Sequence, residues 1–216
     1  METSDIIELM GDRALAYRFL SRAFRTAPDA AFVAALRTAA TSRPDGDPLA
    51  SFFGELESTS PADDEKLRIE LAADYNRLFL GMGPHPVPPY ESVYTSPEGL
   101  LMQDARDEVL AAYRAQGLDA PDDFNLPEDH LALECAFVAE LAERTAAAAE
   151  HDGQQAVDKL IAFQRAFVEE HLAAWVPAFG AEVETRARTS FYRGLATLAC
   201  EQVEADRRVL TELTEQ

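Results

Sequence analysis

Apolar residues in this chain recur at steps of three, four and seven, and no segment alternates apolar with polar residues for long enough to make a strand. That pattern commits the backbone to amphipathic helices. Ile6, Met10, Tyr17, Leu20 and Phe24 form one such stripe over residues 5–24; Phe32, Val33 and Leu36 form a shorter one after Pro28-Asp29. Another short helix follows Pro48, with Phe52, Phe53 and Leu56 facing inward. Ser60-Pro61-Ala62-Asp63 combines an N-cap serine, proline at the first helical position and an acid in the first turn, a strong helix start. The helix it opens buries Leu67, Leu71, Tyr75, Leu78 and Phe79 and stops at Gly81.

Ser96-Pro97-Glu98 repeats the start signal and predicts a helix with Leu101, Ala105, Val109 and Tyr113 on one face, ended by Gly117. Further helices are expected over residues 126–150, then up to His171 with Val157, Ile161, Val168 and Leu172 on one stripe. Trp175-Val176-Pro177 is expected to close that helix, and a last helical region over residues 181–213 to kink near Thr189-Ser190. Tyr113, Phe137, Phe163, Phe167 and Trp175 read as core. The expected fold is all-α, a single compact helical bundle of about eight or more helices.

One stretch interrupts this pattern. Residues 81–94 hold four of the chain's 12 prolines and two of its 10 glycines, so no helix is expected to run through them. Yet Val87, Tyr90, Val93 and Tyr94 make the stretch too apolar for a plain linker. A stiff loop of this kind between helices is either an ordered crossover or the wall of a binding site. A second interruption is the polar connector over residues 119–125, rich in Asp and Pro. It reads as a hinge between an N-terminal helical half (1–118, carrying the Pro-rich loop 81–97) and a C-terminal half (126–216), the two forming one globular domain.

Charge and cysteine usage narrow the function. With 39 acidic against 19 basic residues the formal net charge is −20, so nucleic acid is not an expected partner; solubility or an acidic proteome accounts for the charge taken alone, although a basic partner would be drawn in electrostatically. No apolar run approaches the length of a membrane helix, and the acidic start Met-Glu-Thr-Ser-Asp lacks a signal-peptide pattern. Stable membrane insertion is therefore not expected, and a cytoplasmic location is. Cys135 and Cys200 lie far apart among apolar neighbours and read as small buried hydrophobes.

The cluster Asn125-Leu126-Pro127-Glu128-Asp129-His130, followed by Glu134, reads first as a helix start. Asn125 would be the N-cap, Glu128 its partner three residues on, and Asp129 a charge at the positive end of the helix dipole. His130 and Glu134 share a face at a ligand-like spacing, but two ligands do not make a zinc site. No His-Glu-x-x-His, Gly-x-Ser-x-Gly or phosphate-loop pattern occurs. No catalytic residue, metal or cofactor is expected. A metal-binding protein or enzyme using His130, Glu134 and His85 is the competing reading.

Together these segments resemble a known family. Tyr75-Asn-Arg-Leu-Phe-Leu-Gly81, Pro88-Pro-Tyr-Glu-Ser-Val-Tyr94 and Pro127-Glu-Asp-His130 with Glu134 are similar to the TorD/DmsD/NarJ redox-enzyme maturation chaperones. So are Tyr17-Arg-Phe-Leu-Ser-Arg-Ala-Phe24, His171-Leu-x-x-Trp175-x-Pro177-x-Phe179 and Phe191-Tyr-Arg-x-Leu195. The resemblance implies a cytoplasmic chaperone without turnover, binding the twin-arginine signal peptide or the immature, apo-form body of a molybdopterin oxidoreductase until cofactor insertion is finished. It implies a peptide groove near Phe79, Pro89, Tyr90, Glu91, Ser92 and Tyr94 on one side and Pro127, Glu128, Asp129, His130 and Glu134 on the other. It also implies a monomer or a domain-swapped homodimer, for which a hinge at 119–125 is suited. An apolar groove edged with carboxylates suits a leader that has a basic end and an apolar run. Buried apolar side chains, at about 1.5–3 kcal/mol each, would then dominate affinity over exposed arginine–carboxylate pairs at about 0–1 kcal/mol.

Overall fold

A computed structural model describes residues 2–40, 46–119 and 126–215. The fold is all-α. Its helices are α1 (Thr3–Arg25), α2 (Ala30–Ala39), α3 (Ala50–Glu57), α4 (Asp64–Phe79), α5 (Glu91–Thr95), α6 (Asp104–Ala115), α7 (Leu131–His151), α8 (Gln154–Phe167), α9 (Ala173–Arg186) and α10 (Ser190–Thr214). No strand occurs among the described residues; one isolated antiparallel bridge pairs Tyr90 with His130. The connector residues 120–125, Asn125 included, lie outside the described residues.

The chain separates into two compact units, each assembled from non-consecutive segments. The first comprises Met1–Arg25, Tyr90–Val176 and Gln202–Gln216; the second comprises Thr26–Pro89 and Pro177–Glu201.

In the first unit α1 packs along α7. Ala132, Ala139 and Ala142 share one buried side of α7, where small side chains let backbones approach closely. The Ser21 hydroxyl donates to the Ala132 carbonyl at 2.7 Å. Beneath lies a buried polar network. Arg13 of α1 holds Asp206 of α10 through Nε (2.5 Å) and Nη2 (2.8 Å), and donates from Nη1 to Gln164 of α8 at 2.7 Å. Tyr17 adds its hydroxyl to Asp206 at 3.1 Å, and Gln164 passes a bond on to Thr145 at 2.8 Å. Arg13 and Asp206 are 4% and 2% exposed. A charge buried this deeply is tolerated only when paired and fully hydrogen-bonded.

In the second unit the start signal at Ser60 works as its residues predict. The Ser60 side chain accepts from Ala62 N–H, Asp63 returns a bond to the Ser60 N–H, and a short 3₁₀ turn at Pro61–Asp63 leads into α4. Phe32, Phe52, Phe191, Tyr192, Tyr75, Phe79 and Phe179 form a chain of edge-to-face and tilted ring contacts. Gly83 is required by close approach: a Cβ there would meet Arg77 Cγ at 2.6 Å and the Arg77 carbonyl oxygen at 2.8 Å.

Four local expectations are corrected. Pro177 does not end a helix: α9 runs through it, preceded by a π turn at Val168–Leu172. Trp175, Val176, Phe179 and Val183 are all fully buried, and that burial outweighs the one backbone bond that proline removes. Ser96 does not open a helix. Left-handed backbone at Gly99 (φ 63°) and Met102 (φ 59°) breaks the segment, α6 begins only at Asp104, and Leu101 is exposed rather than inward. The proline-rich stretch does contain a helix, the single turn α5, because its prolines end at Pro89 and residues 91–95 keep their N–H donors. Finally, α7 starts at Leu131, not near 126, with His130 as its N-cap.

Candidate functional site

The two motifs singled out by sequence meet in the first unit. Tyr90 is the N-cap residue of α5, in extended conformation, with no side-chain cap bond of its own. The missing acceptor comes from a residue 37 positions beyond Ser92. Asp129 Oδ2 accepts from the Ser92 backbone N–H at 2.9 Å and from the Ser92 hydroxyl, and the Asp129 carbonyl accepts from Glu91 N–H at 3.0 Å. A carboxylate at the N-terminus of a helix also meets the positive end of its dipole. Asp129 and Ser92 are both fully buried, so this pair is a clamp that holds α5 onto the start of α7.

His130 completes the junction. Its Nδ1 accepts from Ala132 N–H at 3.0 Å, capping α7, and its ring meets Tyr90 edge-on with centroids 4.9 Å apart. Burial pushes its pKa down to about 3, which leaves a neutral imidazole, as an acceptor at Nδ1 requires. The sign of the linkage follows. The unfolded chain takes up a proton near pH 6.5 and the folded one does not, so stability falls as pH drops below that value. Between about pH 7.5 and about pH 5.5 the native protein is expected to lose about 1.4 kcal/mol more than His130→Gln. Urea denaturation of both across that range measures the difference, and parallel curves would remove His130 from the pH dependence.

Below the clamp lie more acidic groups. Glu91, 3% exposed, faces His171 Nδ1 with its two oxygens at 3.0 and 3.2 Å. Burial raises the Glu91 pKa, opposed by His171 and reinforced by Asp129 and Glu108. Glu134 is fully buried and accepts from Trp175 Nε1 at 3.2 Å, while its Oε1 has no partner among the described residues. Burial first, and then the nearby Glu91, raise its pKa well above the ordinary carboxylate range, against the Trp175 bond. Tyr94 stacks on Trp175 with centroids 5.5 Å apart. Burial, then Glu134, push the Cys135 thiol up, so it stays protonated and inert.

Around the rim, Glu128 binds Arg106 bidentately at 2.5 and 2.9 Å. Burial acts to raise its pKa, and the Arg106 bonds more than reverse this, leaving it low. Tyr90, Tyr94, Pro127 and Glu128 keep partial exposure, whereas Glu91, Ser92, Asp129, His130 and Glu134 do not. Phe79 and Pro89, named with them from sequence, belong to the other unit, where Phe79 packs on Tyr75, Phe179 and Tyr192. His85 also lies in that unit. No group of three or more His, Cys, Asp or Glu placed to hold a metal ion occurs among the described residues. Sequence reasoning missed His171 and Trp175 as members of the cluster, although the His171-Leu-x-x-Trp175 segment carried the signal.

A family model described as nitrate reductase delta subunit matches residues 28–181. The chain belongs to the TorD/NarJ family. It is 33% identical to "Chaperone protein TorD" of Vibrio cholerae over 154 residues, which cover 71% of this chain and 68% of the relative. Proteins of the same name from Vibrio atlanticus and a Psychrobacter species are each 29% identical, over 68% and 72% of this chain and 72% and 67% of theirs. These TorD/NarJ relatives are named chaperones, a class without catalytic turnover, and this chain is likewise not an enzyme. None of its described helices is long and apolar enough to cross a membrane.

Proposed function

We propose that this protein is a cytoplasmic chaperone for a molybdopterin oxidoreductase, which binds the enzyme's twin-arginine signal peptide, its immature body, or both. In this role it delays export until cofactor insertion and folding are complete. The observation that carries the reading is the identity to chaperones named TorD across most of the chain. The meeting of the two motifs in one clamped junction supports it. Within that junction the buried members, Asp129, Ser92, His130 and Glu134, serve to position, and the partly exposed Tyr90, Tyr94, Pro127 and Glu128 serve as contacts. A leader with a basic end is drawn toward a chain of net charge −20, which acts mainly on the association rate.

Calorimetric titration of a synthetic twin-arginine leader peptide at low and high salt tests the reading. Tyr90→Ala is expected to weaken binding about tenfold, as the loss of one buried ring implies, while added salt lowers it only a few-fold. Binding abolished by salt and unchanged in Tyr90→Ala would reverse the roles given to apolar and charged contacts.

A further inference from the structure

Glu134 is an unusual residue to find at the centre of the junction. It is fully buried, one oxygen accepts from Trp175 Nε1 at 3.2 Å, and the other, Oε1, has no partner among the described residues. Ionised, it would be a buried charge with half of its bonding unmet. No lysine, arginine or histidine lies within ion-pair distance of it among the described residues. The charges that bear on it are carboxylates, Glu91 from α5 and Asp129 from the residue before the α7 cap. Tyr113 on α6 and Cys135 on α7 also lie near and stay protonated, and His130 is neutral. His171 stands in the π turn and faces Glu91 through Nδ1. Such surroundings favour a carboxyl that keeps its proton.

The same residues fasten α5. Asp129 accepts from Ser92, Glu91 faces His171, and the Tyr94 ring lies on Trp175, whose indole nitrogen is the one that bonds Glu134. Two of these three fastenings therefore run through a carboxyl group that its neighbours oppose. The π turn that presents His171 is an irregularity kept mostly at functional sites. Losing the proton on Glu134 would set three carboxylates against one another in a water-poor space. The element able to move away is α5, the shortest helix of the first unit at five residues, because a single turn has too few internal bonds to stand alone.

We propose that α5 is a proton-operated latch: with a proton on Glu134 the turn is closed over Trp175, and ionisation of Glu134 releases it, uncovering the indole and freeing Tyr94. The sign of the pH dependence is fixed. An unfolded chain releases this proton near the ordinary value of 4.5, and the folded chain only at higher pH. The closed state is therefore fully stabilised at low pH and loses ground as pH rises through the folded value. The latch does not depend on peptide binding, but it sets how firmly Tyr94, one of the proposed contacts, is held.

Trp175 is the chain's single tryptophan, so it reads the latch directly. The full chain is taken from about pH 5 to about pH 10. Protonated acid is followed by its infrared carbonyl stretch, and acrylamide quenching measures access to the indole. The native protein is expected to lose one protonated-acid band and, at the same midpoint, to become several-fold easier to quench, with its far-ultraviolet circular dichroism unchanged. Glu134→Gln should show neither transition. Glu91→Gln, which removes a neighbouring charge, should move both midpoints down by about one pH unit. A native spectrum with no acid band that titrates in this range overturns the proposal without need of a variant. So does a band that titrates while quenching stays constant, since Glu134 would then hold a proton without moving α5. Transitions that persist in Glu134→Gln belong to another group and overturn it equally.

Discussion

Replacing Arg13 with methionine is expected to cost about 3–5 kcal/mol of stability, the largest effect of any single change considered. The guanidinium occupies the centre of the buried network, with Asp206, Gln164 and Met10 all bonded to it. Removing it strands the Asp206 carboxylate, which keeps only the Tyr17 hydroxyl among the described residues in a nearly water-free site. Breaking one side of such a pair leaves an uncompensated charge, whereas replacing both sides with apolar groups removes the charge altogether. Arg13→Met/Asp206→Leu is therefore expected to recover most of the loss. Urea denaturation of the two variants measures this, and a single variant within about 1 kcal/mol of the native protein would show that the pair is hydrated.

Asp129→Ala is the second large loss, at about 3 kcal/mol, because two bonds to one buried carboxylate disappear together. The Ser92 N–H and hydroxyl would be left without an acceptor at the first turn of α5. Asp129→Asn should cost much less, about 1 kcal/mol. The retained oxygen still accepts from Ser92, and the amide nitrogen takes the position of Oδ1, which has no partner among the described residues. Equal losses for the two variants would mean that charge, not the bonds themselves, carries the clamp. Since α5 positions Glu91, the alanine variant should also bind a leader peptide more weakly at temperatures where it remains folded.

Much of this was readable from residue order alone. Local signals acted locally: the stripe in α1, the Ser60 cap and the core rings Tyr113, Phe137, Phe167 and Trp175 all follow from spacing within a turn or two. Phe163, which spacing assigned to the core, is half-buried instead. The failures at the junction share a cause, since each depends on a partner distant in sequence. Asp129 looked like a residue serving its own helix and instead caps α5. His171 and Glu91 lie 80 positions apart, and no periodicity links them. Pro177 obeyed a local rule that the burial of its neighbours overrode.

The discontinuity of the first unit has a consequence for biosynthesis. Asp206 emerges 193 residues after Arg13, so on the ribosome the guanidinium waits for that length of chain to be made before it meets its counter-charge. Closing a loop of that span is slow and entropically costly. The nascent N-terminal helix must either remain hydrated throughout or be shielded by another factor. A client-folding assistant of this architecture would itself be a late folder, completing the core of its first unit only as α10 arrives.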